Sequence, residues 1–220
     1  EGKIRRIAEL LSANKYLGGS DKKENLRRLY NEIDALFRTS PTTLKKPTPV
    51  EEADTILDIF DNTLFHTIPQ VYRRFDDWVL GDEAGLVEPV CPAFFHPGSW
   101  IGSDRDGNPN VTAKVSRQVA RKFSDHVLAA LEEATRTVGR NMTMESETTP
   151  PSDELRALWN QQKEGSERLT SKASLISTQE LHRAVLLVMA DRLHYTIKRD
   201  HDLMYHTCDD FLADLRIVQR

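Results

Sequence analysis

The chain has 220 residues, 39% hydrophobic and 29% charged, which suits a globular domain large enough to bury a core. Its net charge of −4, with Lys and Arg interspersed among Asp and Glu, supplies no basic field for nucleic acid. The longest apolar run, AVLLVMA at 184–190, is far too short to cross a bilayer, so no membrane partner is expected.

No secretory n-region and h-region opens the chain. Cys91 and Cys208 stand far apart without CxxC or Cys/His spacing and read as reduced thiols of a cytoplasmic protein. The sequons at Asn110 and Asn141 then carry no meaning.

Taken in chain order, Ile4, Ile7, Ala8, Leu10 and Leu11 recur at helical spacing up to a GGSDKK break at 18–23. Leu26, Leu29, Tyr30, Ile33, Leu36 and Phe37 predict a second amphipathic helix. A Pro-rich loop covers 38–49. Thr48 as N-cap, Pro49 at N1 and Glu51 at N3 then form a capping box. The helix they start carries Ile56, Leu57, Ile59, Phe60, Leu64 and Phe65, and Pro69 is expected to kink or restart it. The stretch 81–111 reads as irregular, with VCPAFF (90–95) a short strand or extended piece. Thr112 caps the longest helix, expected to end at Gly139. Residues 140–152 are polar and read as a mobile loop. Ser152 starts a helix through Trp159, 163–177 is mixed, and Ser177 with Glu180 predicts a second capping box before LHRAVLLVMADRLHYTI. A last helix carries Phe211, Leu212, Leu215 and Ile217. The fold class is all-α, one helical, bundle-like assembly over 1–220 with an irregular insert.

The opening helix is periodic from its first turn, and FLADLRIVQR stops without a cap or breaker. This predicts a piece of a longer polypeptide.

GSWIGSDRDGNPNVT (98–112) gathers turn-forming and charged residues as no other stretch does. Asp104, Asp106 and Asn108 fit the first, third and fifth places of an EF-hand loop. Pro109 stands where that loop needs Gly, and Val115 where it needs a bidentate Glu, so calcium is rejected. A plain turn feeding a helix accounts for Gly107, Pro109 and Thr112. It leaves unexplained Trp100 between Gly98 and Gly102, and Arg105 between two aspartates, a pattern typical of a cation fixed by hydrogen bonds on both sides. On pattern alone, turn and site both stay open.

The same stretch closely resembles the Trp-x-Gly-Gly-Asp-Arg-Asp-Gly-Asn-Pro-Asn-Val-Thr signature of the phosphoenolpyruvate carboxylase family. KKPTPVEEADTILDIFDNTLFHTIPQVYRRF (45–75) resembles that family's Arg-x-x-Pro-(Thr/Ser)-Pro helix pair. KIRRIAELL resembles the helix after its catalytic His motif, and LADLRIVQR a segment before its glycine- and arginine-rich loops. The likeness thus covers essentially the whole chain. One departure is visible: Ser103 stands where the family has its second Gly.

The resemblance implies a lyase that joins bicarbonate to phosphoenolpyruvate, giving oxaloacetate and phosphate, with Mg²⁺ or Mn²⁺. It implies an αβ barrel wrapped in helices, usually a homotetramer. The family's catalytic His lies in a Thr-Ala-His-Pro-Thr-Glu motif, expected roughly ten residues before Glu1, and the metal ligands and main phosphate-binding arginines lie in later segments. No catalytic or metal-binding residue is therefore expected within 1–220, and the chain alone should be inactive. Trp100 matches the tryptophan lining the bicarbonate/CO₂ pocket, its bland alternative being a buried core aromatic. Asp104, Arg105, Asp106 and Asn108 would complete that wall or merely brace the turn. Lys45 and Lys46 match a basic pair that binds a sugar-phosphate activator in some members, against ordinary solvation in an exposed loop. His66, His126, His182 and His194 lack metal-ligand spacing and read as solvated or hydrogen-bonded. The rival from another class is a non-enzymatic helical scaffold whose amphipathic helices bind partner helices.

Overall fold

The computed structural model describes residues 2–39, 46–171, 173–176 and 179–219. Every regular element among them is helical, as the periodicities predict, and VCPAFF joins no strand. The chain divides into two compact units, Glu1–Lys46 and Pro47–Arg220.

In the first unit, α1 (Gly2–Ala13) and α2 (Gly19–Phe37) pack antiparallel. Lys3 Nζ donates to the Ala35 carbonyl (3.1 Å) and Asn25 Nδ2 to the Leu10 carbonyl (2.9 Å), so the start of one helix meets the end of the other. Asn25 and Leu29 are buried between them.

The second unit opens with α3 (Pro49–Ile59), and its capping box forms as read. Thr48 Oγ1 accepts from Glu51 N (3.3 Å), and Glu51 Oε2 accepts from Thr48 N (2.7 Å). The irregularity predicted at Pro69 falls earlier, in a π turn at Phe60–Leu64 where Phe65 N donates to Phe60 O. Pro69 then sits inside α4 (Phe65–Leu80) without ending it. After a 3₁₀ turn at Gly81–Glu83 the chain is irregular until Thr112, whose hydroxyl accepts from Val115 N (3.3 Å) to start α5 (Ala113–Asn141). At 29 residues, α5 is about 40 Å long.

Then follow α6 (Asp153–Gly165), capped by Ser152, a single turn α7 (Glu167–Thr170), a 3₁₀ turn Ala173–Leu175, α8 (Leu181–Lys198) and α9 (Cys208–Gln219). Helix α8 is the centre. Ala184, Val185, Leu186, Val188, Met189 and Ala190 are all at most 2% exposed, because its apolar residues cover most of its circumference rather than one stripe. Around it pack Leu155, Leu158 and Trp159 of α6, Leu169, Leu203 and Val218.

Helices α5 and α8 run antiparallel in constant register. Gly139 lies against Leu186, Arg136 Nη2 bonds Asp191 (2.9 Å), Glu132 meets His194 (3.2 Å), and Asp125 accepts from Arg199 (2.6 Å). Gly139 does not end α5 as predicted. It lies inside the helix, and a Cβ there would stand 3.1 Å from Leu186 Cβ, so glycine permits the close approach. Segment 142–152 is tied down at Ser146, whose N donates to Gln179 O (2.7 Å), and Pro151 is buried. The second capping box is predicted on Ser177 and Glu180, of which only Glu180 is described. Glu180 occupies the N-cap of α8 rather than its third position, after a turn on the Ile176 carbonyl, and Ser177 lies outside the described residues.

A polar knot closes α8 onto α9. Tyr205 Oη donates to Asp214 Oδ2 (2.8 Å), Arg192 Nη1 donates to the same oxygen (3.0 Å), and the guanidinium lies 3.7 Å from the Tyr205 ring centre. Burial raises the Asp214 carboxyl above its ordinary range, against the pull of the Tyr205 hydroxyl and Arg192.

Candidate functional site

The signature segment folds upon its own backbone. The Trp100 carbonyl accepts from Ser103 N and Asp104 N, both at 3.1 Å, and the Ser103 hydroxyl donates to it at 3.0 Å. Gly102, third residue of this turn, has φ +72°, the left-handed region that glycine tolerates. It is buried against α5, where an added Cβ would stand 2.8 Å from Val119 Cγ2. Ser103 itself lies outside the positive-φ region, so its side chain is tolerated where the family has glycine.

A second turn follows. Asn108 N donates to Arg105 O, Gly107 has φ +74°, and Asn108 Oδ1 accepts from Asn110 N (3.0 Å), which braces the bend before Val111 is buried and Thr112 caps α5. Asn108 thus does what the turn reading predicted.

Trp100 is 80% exposed and is no core residue. Asp104, Arg105 and Asp106 are exposed as well, and among the described residues no ion pair or side-chain hydrogen bond joins Arg105 to either aspartate. The fixed cation expected from the Asp-Arg-Asp pattern is therefore not formed. Asp106 has φ +28° where the chain reverses, and in open water an ion pair is worth too little to hold three side chains in one arrangement.

The segment leading into the signature is held from outside. Asp76 Oδ1 on α4 accepts from Val90 N and Cys91 N, both at 2.9 Å, and Tyr72 Oη one turn earlier accepts from Phe94 N (3.0 Å) and Phe95 N (2.9 Å). The Phe94 ring packs on Tyr72 (centroids 4.8 Å) and edge-on to Phe75 (5.5 Å). Desolvation, with Asp76 beside it, raises the Cys91 thiol. Sequence reasoning missed these anchors, because residues 14 to 23 positions apart leave no local pattern.

A family model of phosphoenolpyruvate carboxylase matches residues 2–219. The chain belongs to the phosphoenolpyruvate carboxylase family. It is 33% identical over 208 residues to a phosphoenolpyruvate carboxylase of Trichormus variabilis, covering 87% of this chain and 20% of that protein. It is 35% identical over 159 residues to one of Roseiflexus castenholzii (70% and 16%) and 31% identical over 226 residues to phosphoenolpyruvate carboxylase 1 of Arabidopsis thaliana (99% and 22%). The chain thus spans about a fifth of the length of these phosphoenolpyruvate carboxylases.

Among the described residues no group of three or more His, Cys, Asp or Glu side chains converges to hold a metal ion, so they do not fit the divalent cation implied for a phosphoenolpyruvate carboxylase. His126 Nε2 meets Asp61 Oδ1 at 2.8 Å and its ring stacks on Phe65, while His194 meets Glu132; both are hydrogen-bonded, in line with the bland reading. Lys46 is exposed just before the α3 cap, and Lys45 lies outside the described residues. No described helix is long and apolar enough to cross a membrane.

Proposed function

We propose that this chain forms part of an enzyme that carboxylates phosphoenolpyruvate with bicarbonate, giving oxaloacetate and phosphate, and that Trp100 supplies an apolar wall of its bicarbonate/CO₂ pocket. In the reaction implied for the family, a bicarbonate oxygen attacks phosphorus, releasing the enolate of pyruvate and forming carboxyphosphate. Carboxyphosphate loses its proton to a base and splits into CO₂ and phosphate, and the enolate carbon bonds to CO₂. A CO₂ molecule loose in water is lost, so the step needs dry walls.

One observation carries this reading: an indole 80% exposed on a backbone turn fastened by hydrogen bonds and by the fit of Gly102 against Val119. A large apolar surface set in the open on a fastened turn suits contact with something beyond its own unit. The base, the divalent cation (Mg²⁺ or Mn²⁺) and the phosphate-binding arginines belong in this reading to other segments of the whole enzyme, a cytoplasmic homotetramer under allosteric control. Lys45 and Lys46 would meet a sugar-phosphate activator. Arg105 and its two aspartates, exposed and unpaired among the described residues, are available to substrate or to the loops that complete the pocket.

The test is Trp100→Ala in the full-length enzyme. Bicarbonate-dependent oxaloacetate formation should fall at least tenfold while the KM for phosphoenolpyruvate stays within about twofold, a loss of roughly 1.4 kcal/mol confined to one substrate. Unchanged turnover would remove Trp100 from the pocket.

A further inference from the structure

Trp100 has little of its own packing to hold it, with most of its ring in solvent. Its position is decided by the backbone on either side. On the C-terminal side the turn is pinned by Gly102 against Val119 of α5. On the N-terminal side Tyr72 and Asp76, at i and i+4 on one face of α4, each accept two consecutive backbone N–H groups of segment 90–95. Pro89 just before it and Pro92 within it stiffen segment 90–95, and among the described residues no strand partner satisfies its amides, so these two side chains stand in for a sheet. Only His96, Pro97 and Gly98 separate Phe95 from Ser99, a leash of about 14 Å at full extension. Displacing the 90–95 backbone by more than the slack in so short a link must therefore displace the Trp100 turn or strain it.

We infer that Tyr72 and Asp76 are positioning residues for the bicarbonate/CO₂ pocket, acting through the 90–95 backbone to set where the Trp100 indole stands. This rests on the role proposed for Trp100. Four accepted N–H bonds spread over one helical turn make a clamp that aims the segment as well as tethers it. The carboxylate of Asp76 makes the stronger pair, being charged. The Tyr72 ring, packed on Phe94, resists rotation of the strap about its own axis.

The experiment uses the full-length enzyme with Tyr72→Phe, Asp76→Ala, Asp76→Asn and Trp100→Ala, recording KM and kcat for each substrate together with hydrogen exchange of amides 90–95. Tyr72→Phe keeps the ring against Phe94 and removes only the acceptor. Asp76→Asn keeps one carbonyl acceptor in place. Loss of a clamp bond should raise the KM for bicarbonate about fivefold and leave that for phosphoenolpyruvate within about twofold. Exchange at 90–95 should quicken in Tyr72→Phe and Asp76→Ala, and Asp76→Asn should restore both readouts. If Trp100→Ala shows the bicarbonate defect while both clamp variants free the 90–95 amides without touching bicarbonate kinetics, the clamp is overturned and the role of Trp100 stands. If Trp100→Ala shows no defect, both fall. Equal loss for both substrates in the clamp variants, with a lowered Tm, would mark the clamp as general scaffolding and overturn the inference too.

Discussion

Gly102 and Val119 touch so closely that the smallest side chain at 102 would overlap the valine: Cγ2 would lie 2.8 Å away and Cβ 2.9 Å. Gly107, five residues on, has nearly the same φ, +74° against +72°, and open space where its Cβ would be. The pair separates two costs that usually come together. Gly107→Ala should lose only the left-handed backbone penalty, about 1–2 kcal/mol. Gly102→Ala should lose about 2–4 kcal/mol, the excess being overpacking against a valine that is 2% exposed and has nowhere to go. Urea denaturation of the two variants checks the difference; equal losses would mean that Val119 yields.

The Thr112 side chain caps α5 by one hydrogen bond, from Val115 N to its hydroxyl. Thr112→Ala should cost about 1 kcal/mol, and Thr112→Asp should restore most of it by accepting the same bond at the positive end of the helix dipole. Thermal melting of the three proteins is sufficient, with Thr112→Asp expected within a few tenths of a kcal/mol of the parent.

Tyr205 predicts a pH dependence at the alkaline end. It is 4% exposed, and burial together with the adjacent Asp214 carboxylate raises its phenol far above the ordinary value. A folded pKa above the unfolded one means stability fully present below about pH 10 and lost as pH rises beyond it, since only the unfolded chain then releases the proton. From pH 10 to 11 this residue alone should remove about 1 kcal/mol. Tyr205→Phe should be less stable at pH 7, having lost the bond to Asp214, yet fall less steeply between pH 10 and 11. Parallel curves for the two proteins would show that Tyr205 ionises as freely folded as unfolded.

What the sequence disclosed follows from how far each cause reaches along the chain. The Thr48 box and the Thr112 and Ser152 caps were legible because each is a bond across three residues. The helices were legible because burial of one face imposes its period. Gly139 misled, since the same residue type ends helices and lets two helices approach, and only Leu186, 47 positions away, shows which it does here. In the signature, Trp100, Gly102 and Asn108 were singled out by their setting, but the Asp104–Arg105–Asp106 pattern promised an ion-pair lock that exposed side chains do not form. Tyr72 and Asp76 left no local trace. Their partners lie across a loop, and nothing in VYRRFDDW separates an anchoring residue from a surface one.

The π turn at Phe60–Leu64 holds one residue more than an α turn on the rod that carries Tyr72 and Asp76. Each residue of an α-helix advances the face by about 100°, and the π turn absorbs one extra residue in its wider coil. Removing that residue to leave a regular helix turns Tyr72 and Asp76 only slightly, whereas adding a residue to the regular helix after it would swing them more than a quarter of a revolution away from the strap they grip. A wider coil two turns upstream thus takes up a residue of length without turning the latch. An insertion at 65–68 should harm the indole's seat without altering a single residue that touches it, where a deletion in 60–64 should spare it.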